Sequence, residues 1–353
     1  MSNFEKYNIT PAKITTVRHR SECIPYYGAF WSEEAGAWSL AGAYLPLFAS
    51  PMACVINDSN YLEFDKNGII PVIPRTVSYE KRLEIAKKSV WISMGLEEFE
   101  QFIKDHSELS QETYVCVDIA NGHMEELLRL CCEAKTKYDD NIIIMAGNVA
   151  NPETYDEYVL ANIDYIRVSI GTGSACLTNK LAGVGMNPYT LLSEIVKRKK
   201  TYGVGATEIV VDGGFEDIRD IIVALAIGAD YVMCGKIFAQ AEEACGQIIV
   251  KQMPSIETVF YPSNESRYAR MCEVTRECTK RGRMYYGMST ERAQREMGNK
   301  VIKPAEGKEF WVPIEYTLSE WVKRFVAAIS STMSYCNVRT LEEFIGNQKI
   351  NCS

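Results

Sequence analysis

The chain has 353 residues, 47% apolar and 24% charged, with 46 acidic against 38 basic side chains and a net charge of −8. Such a composition suits one large α/β domain or two smaller ones, and the acidic surplus argues against a nucleic-acid partner, whose footprint is basic. No apolar run approaches a membrane span, and Met1-Ser2-Asn3-Phe4-Glu5-Lys6 lacks the apolar core of a secretion signal, so a cytoplasmic protein without a membrane partner is expected.

Residues 1–44 are aromatic and irregular, with Tyr26, Tyr27, Trp31 and Trp38. From there, β-type runs recur at Leu45–Ser50, Ile69–Pro74, Ser89–Met94, Tyr114–Ile119, Asn141–Gly147, Tyr165–Ile170, Glu208–Gly213 and Tyr231–Gly235. Segments of helical composition, such as Pro152–Leu160 and Phe215–Ile227, lie between most of them. Near-continuous apolar strands alternating with helices imply parallel pairing through crossover connections. Eight such units predict a closed (β/α)₈ barrel; an open doubly wound sheet is the runner-up, but no Gly-x-Gly-x-x-Gly follows the first strand. Residues 254–308, polar and of mixed charge, read as an insertion forming a lid or flap at the barrel rim. Leu318–Thr332 has helical spacing and reads as the closing helix.

The twelve cysteines are irregularly placed, some in apolar runs (Cys116, Cys234) and two adjacent (Cys131-Cys132), which fits reduced thiols in the cytoplasm. There is no Cys-x-x-Cys, and His19, His106 and His123 are widely separated, so neither a structural zinc nor a Ser-His-Asp triad is expected. Polar residues gather instead at the strand ends, where a barrel places its active site: Ser50, Arg75, Asp118, Asn148 and Asp212. After the sixth strand comes Gly171-Thr172-Gly173-Ser174-Ala175-Cys176-Leu177-Thr178, a glycine loop that could expose a nucleophilic thiol or bury an inert one. Gly213-Gly214 and Gly235, after strands seven and eight, suit backbone N–H contacts to a phosphate, and Asp212 suits acceptance from sugar hydroxyls.

Taken together, these motifs resemble the inosine-monophosphate dehydrogenase and guanosine-monophosphate reductase family, from about Arg18 to Phe344. The resemblance rests on Ser50-Pro51-Met52, Val117-Asp118-Ile119-Ala120-Asn121-Gly122, Met145-Ala146-Gly147-Asn148-Val149 and the cysteine loop. Further along it rests on Gly183-Val184-Gly185, Asp212-Gly213-Gly214, Tyr286-Gly287-Met288-Ser289 and Glu306-Gly307-Lys308. It implies a single catalytic barrel domain over 1–353 without an inserted regulatory domain, and an oxidoreductase in which Cys176 attacks C2 of a purine nucleotide to form a thioimidate. Ribose and phosphate would be held by Ser50, Asp212, Gly213, Gly214, Gly235, Tyr286, Gly287, Met288, Ser289 and Gly307. Lys236 stands where the family has a small residue; it could neutralise the phosphate, fill its site, or point away.

The same resemblance implies a nicotinamide cofactor beside Asp118, Ile119, Ala120, Asn121, Ile170 and Gly171. His19, Arg20, Arg75, Lys303, Ser331, Thr332 and Ser334 would lie nearer the rest of the dinucleotide. Backbone carbonyls of Gly171, Gly173 and Cys176 would bind a monovalent cation such as potassium, and a homotetramer is expected. The family's reductases use a threonine two residues after the cysteine and a flap glutamate, here Thr178 and Glu306. Its dehydrogenases use a longer flap with an Arg-Tyr pair, whereas only sixteen residues separate Ser289 from Glu306 here, without a tyrosine. An NADPH-dependent GMP reductase is therefore expected. A compact NAD-dependent IMP dehydrogenase, a reductase of a modified purine nucleotide, and a nucleotide-binding homologue that has lost catalysis are the alternatives. Ala53, Ile302 and Lys303 depart from the family's usual Asp, Tyr and Arg.

Overall fold

The computed structural model describes residues 13–14, 31–32, 37–38, 44–203, 205–261, 270–299, 302, 306–347 and 350–351. His19, Arg20 and Lys303 lie outside these described residues.

Eight parallel strands close on themselves in sequence order. They are β1 (Leu47–Ala49), β2 (Ile70–Ile73), β3 (Trp91–Met94), β4 (Thr113–Asp118), β5 (Ile142–Val149), β6 (Tyr165–Val168), β7 (Glu208–Asp212) and β8 (Tyr231–Cys234), with β8 pairing back onto β1. The eight expected strands are all present, and the (β/α)₈ reading holds. Helices α1 (Tyr61–Lys66), α2 (Tyr79–Ala86), α3 (Leu96–Asp105), α4 (Glu125–Tyr138) and α5 (Glu153–Leu160) connect the first six strands. A short α6 (Thr178–Ala182) and the longer α7 (Pro188–Tyr202) follow β6, and α8 (Ile218–Ile227) links β7 to β8.

The side-chain period of two divides each strand between two cores. Outward residues such as Ile166, Val168, Ile209 and Val211 join the larger core shared with the helices. Inward residues Phe48, Val72, Trp91, Cys116, Met145, Val210 and Met233 fill the barrel, with Tyr114, Tyr165 and Tyr231 packed against them. Aromatic rings meet edge-on there, Phe48 with Trp91 at 5.8 Å and with Tyr231 at 5.3 Å, so the barrel is a packed plug rather than a pore. Following the same inward faces upward, Cys116 leads to Asp118, Tyr165 to Arg167 and Val210 to Asp212. The top of the plug is therefore charged.

Helix boundaries follow local chemistry. Ser78 caps α2 by accepting from the Lys81 N–H, and Asp217 caps α8 by accepting from the Asp220 N–H. The closing helix α11 (Leu318–Cys336) starts in a Thr317–Glu320 capping box and runs a turn beyond the expected Thr332. Before it come α9 (Lys236–Ala239) and α10 (Glu291–Glu296), and after it α12 (Leu341–Phe344).

The stretch expected to be a lid contains a long antiparallel ribbon. Strands β9 (Ile248–Tyr261) and β10 (Arg270–Tyr286) pair from Ile248↔Arg283 to Tyr261↔Arg270, and β11 (Glu309–Pro313) pairs with the base of β10. The ribbon begins before residue 254, in Ile248-Ile249-Val250, and Ile248 and Val250 are both exposed. Its two segments mix charged, polar and apolar residues without a strict period of two, so the sequence pattern does not announce a strand. Arg283 ties the ribbon to the barrel: its buried guanidinium donates to the carbonyls of Ala239 and Ala241, just beyond β8.

Candidate active site

A cavity of about 440 Å³ opens at the C-terminal ends of the strands, within the size range of small-molecule sites. Its wall includes Ser50, Arg75, Asp118, Ile119, Ala120, Ile170, Gly171, Cys176, Thr178, Asp212, Gly213, Gly235, Gly287, Met288, Ser289 and Glu306. Most of the sequence-selected residues thus converge on one space.

The cysteine loop leaves β6 through Ser169 and Thr172, whose hydroxyls both donate to the Asp212 carbonyl and so fasten the loop to the end of β7. Gly213 follows with φ +79°, and a Cβ there would lie 3.2 Å from the Gly173 Cα; glycine lets the two loops touch. Half-buried Cys176 is held by its N–H bonding the Gly173 carbonyl at 2.9 Å. Its thiol is 3.3 Å from the Thr178 hydroxyl, which donates to Glu306 Oε2 at 2.8 Å. The chain containing Glu306 is seated by backbone bonds: the Leu177 N–H donates to the Glu306 carbonyl at 2.7 Å, and the Lys308 N–H to the Ala175 carbonyl at 2.9 Å. Cys176 and Gly307 form the bridge between them.

Arg167 lines the same cavity, 4% exposed, at the top of the barrel plug. Its Nη1 donates to Asp118 Oδ1 at 2.6 Å and its Nη2 to Asp212 Oδ2 at 2.7 Å. Asn148 Nδ2 adds a second bond to Asp212 Oδ2 at 2.9 Å. Burial alone would pull the guanidinium pKa down, but its acidic neighbours, Asp212 foremost, push it well above the ordinary value, so the charge is permanent. By contrast, burial drives the Cys116 and Cys54 thiols up to about 12, which makes them packing residues rather than nucleophiles.

A smaller recess adjoins the cavity, lined by Ser174, Gly213, Gly214, Gly235, Lys236 and Tyr285. The Ser174 hydroxyl is buried without a hydrogen-bond partner among the described residues, and Lys236 Nζ lies 3.6 Å from Glu216 Oε1. Lys236 therefore lines the recess. The aromatic ring against both spaces is Tyr285, fully buried and with its pKa raised by that burial. Tyr286, selected from the sequence, faces the other way: its hydroxyl donates to Glu296 at 2.8 Å, with Arg292 4.6 Å from its ring centre. Asn121 is exposed and accepts from the His123 N–H, outside the cavity wall. Ser331, Thr332 and Ser334 sit on α11, also away from that wall, and the Thr332 hydroxyl donates to the Ala328 carbonyl. Gly214 belongs to the recess alone, and Gly307 to the bridge.

Sequence reading missed Arg167, Tyr285 and Met297, which also reaches the wall. The signal for Arg167 was present, as a lone cation in an apolar strand one period below a rim position. Among the described residues no cluster of three or more His, Cys, Asp or Glu side chains could hold a metal ion, and no helix is long and apolar enough to cross a membrane.

Fold and site together define a (β/α)₈ barrel with a cysteine presented on a glycine loop above a charged barrel plug. Residues 39–352 match the model of the IMP dehydrogenase / GMP reductase domain, and the chain belongs to that family. It is similar to an inosine-5'-monophosphate dehydrogenase of Chlorobaculum tepidum, 32% identical over 237 residues, which covers 67% of this chain but only 44% of that protein. It is also similar to a GMP reductase of Vibrio atlanticus, 28% identical over 84% of this chain and 80% of the relative. Human GMP reductase 2 is 29% identical over 70% of this chain and 64% of that protein. The match therefore spans less than half the length of the dehydrogenase.

Proposed function

We propose that this protein is a GMP reductase, a single catalytic barrel domain that converts GMP to IMP and ammonia with NADPH. The observation that carries the reading is the Cys176–Thr178–Glu306 chain of hydrogen bonds, because loss of an amino group needs a proton delivered to nitrogen. Cys176 sulfur bonds to C2 while the thiol proton enters the Thr178 hydroxyl and that hydroxyl's own proton passes to Glu306. Reversal of the relay returns the proton to the C2 amino group; the C–N bond breaks, ammonia leaves, and the thioimidate remains. NADPH, when bound, would supply the hydride that C2 then takes up. The C2–S bond then breaks, and Cys176 departs as thiolate with IMP released.

The residues fit these ligands. The Ser174 hydroxyl, the Gly213, Gly214 and Gly235 backbone and Lys236 suit a phosphate, and the unengaged Ser174 oxygen is what an anion subsite would use. Asp212 suits the ribose hydroxyls. Arg75, whose Nη1 reaches the Asp118 carbonyl at 3.4 Å, supports a dinucleotide beside Asp118, Ile119, Ala120, Ile170 and Gly171. The carbonyls of Gly171, Gly173 and Cys176 are the proposed potassium ligands, and the assembly is proposed to be a cytoplasmic homotetramer.

A second reading is a compact IMP dehydrogenase using NAD, favoured by the higher identity to the dehydrogenase relatives. Purified protein given GMP and NADPH, or IMP and NAD, with absorbance followed in the nicotinamide band and ammonia assayed, separates the two. Consumption of NADPH with matching ammonia, stimulated by potassium, is expected. NADH production from IMP alone would replace this proposal with the second reading.

A further inference from the structure

We infer that Arg167 is a positioning residue that registers the sugar-binding carboxylate Asp212 against the cofactor-side carboxylate Asp118, so that one guanidinium sets both halves of the site. The inference rests on the proposed nucleotide reading.

Three observations carry it. Each guanidinium nitrogen Nη1 and Nη2 donates to one oxygen of a different carboxylate, at 2.6 and 2.7 Å, so the planar fork spans from β4 to β7 across β5 and β6. Asp212 Oδ2 takes both the Arg167 and the Asn148 bond. That directs its other oxygen, Oδ1, to whatever enters the cavity that Asp212 lines. Finally, Arg167 is 4% exposed, with the Cys116 sulfur 3.6 Å from Nη1, so the two carboxylates are the charged partners that hold its guanidinium in place. A rigid fork with fixed donor geometry constrains both partners, whereas a lysine ammonium can satisfy only one well. Arg167 reaches the cavity wall, but both of its Nη donors are engaged by the two carboxylates, so its effect on a ligand passes chiefly through them.

The consequence is a specificity effect. If Arg167 holds Asp212 for the sugar, loss of the fork should weaken recognition of the 2′-hydroxyl more than recognition of the rest of the nucleotide. The test is calorimetric binding of GMP and 2′-deoxy-GMP to the wild-type chain, to R167K and to D212N, with steady-state kinetics on each. Wild type should prefer GMP. R167K, which keeps the charge, should lose at least tenfold in GMP affinity while 2′-deoxy-GMP changes little, and its KM for NADPH should rise as well. Adding D212N to R167K should then cost little more, because the two act on one contact. A merely structural role would lower both nucleotides by the same factor, and R167K with unchanged discrimination would overturn the inference while leaving the nucleotide reading intact. Wild-type protein that binds no purine nucleotide would overturn the nucleotide reading and this inference with it. R167M serves as the uncharged comparison, and circular dichroism of each variant separates loss of fold from loss of register; a folded R167M that retains the GMP preference would also overturn it.

Discussion

The Thr178 hydroxyl stands between the Cys176 thiol, 3.3 Å away, and the Glu306 carboxylate, 2.8 Å away, and can pass a proton only by keeping both neighbours at once. Thr178→Val keeps the shape and removes the relay. Its kcat for ammonia release from GMP should fall by two or more orders of magnitude, as should that of Glu306→Gln, while GMP binding stays within a fewfold of wild type. Rapid-quench measurement of ammonia reads this directly, and a T178V rate near wild type would sink the relay.

Lys236 lines the recess proposed for the phosphate and is already paired with Glu216. Lys236→Met should raise the KM for GMP about tenfold or more with a small change in kcat, since a charge that binds phosphate equally in ground and transition states changes binding alone. The KM of wild type should also climb with salt, and that of K236M much less. Equal salt slopes for the two proteins would show that Lys236 does not meet the anion.

Asp220, in the first turn of α8, is 2% exposed, and burial, reinforced by Asp217, raises its pKa. The folded protein therefore holds this proton more tightly than the unfolded chain. Its contribution to stability is complete below the ordinary carboxylate pKa of about 3.9 and is lost as pH rises through the elevated folded value. Asp220→Asn cannot ionise, so relative to wild type it should gain stability as pH goes from 4 to 7.5. Urea unfolding at both pH values measures the gain, and a constant difference between the proteins would contradict it.

Gly282, in β10, has no room for a side chain: a Cβ would lie 2.2 Å from the Val312 carbonyl oxygen and 2.4 Å from the Trp311 ring. Gly282→Ala should push β11 off the ribbon and cost about 1–3 kcal/mol, read from urea melts. Because the Trp311 indole N–H donates to the Ile249 carbonyl in the same corner, its fluorescence should shift as well. A variant with wild-type stability and emission would mean that the strands part without cost.

The barrel was legible because buried parallel strands advertise themselves as apolar runs, and the rim was legible because polar residues then fall mostly at strand ends. What escaped depends on contacts between distant positions. Arg167 reads as an oddity in Tyr165-Ile166-Arg167-Val168 until Asp118 and Asp212, 49 and 45 residues away, are brought beside it. Tyr285 and Tyr286 are adjacent, and only the register of β10 decides which ring meets the cavity; a shift of one residue reverses the answer. The ribbon escaped because its two segments interrupt apolar residues with charged and polar ones at no strict period of two. Ser331, Thr332 and Ser334 were chosen by resemblance, and within this chain α11 holds them away from the cavity wall.

The bridge between Cys176 and Gly307 uses main-chain atoms only. Peptide groups are common to every residue type, so the seat of Glu306 places little demand on neighbouring side chains except at Gly307, where a Cβ would lie 2.8 Å from Thr290 Cγ2. Ile302 and Lys303 occupy positions where the family usually carries other residues, yet the carboxylate still meets Thr178 at hydrogen-bonding distance. An acid anchored this way tolerates sequence drift on its N-terminal side: residues such as 302 and 303 can change while the carboxylate of the proposed proton route keeps its seat.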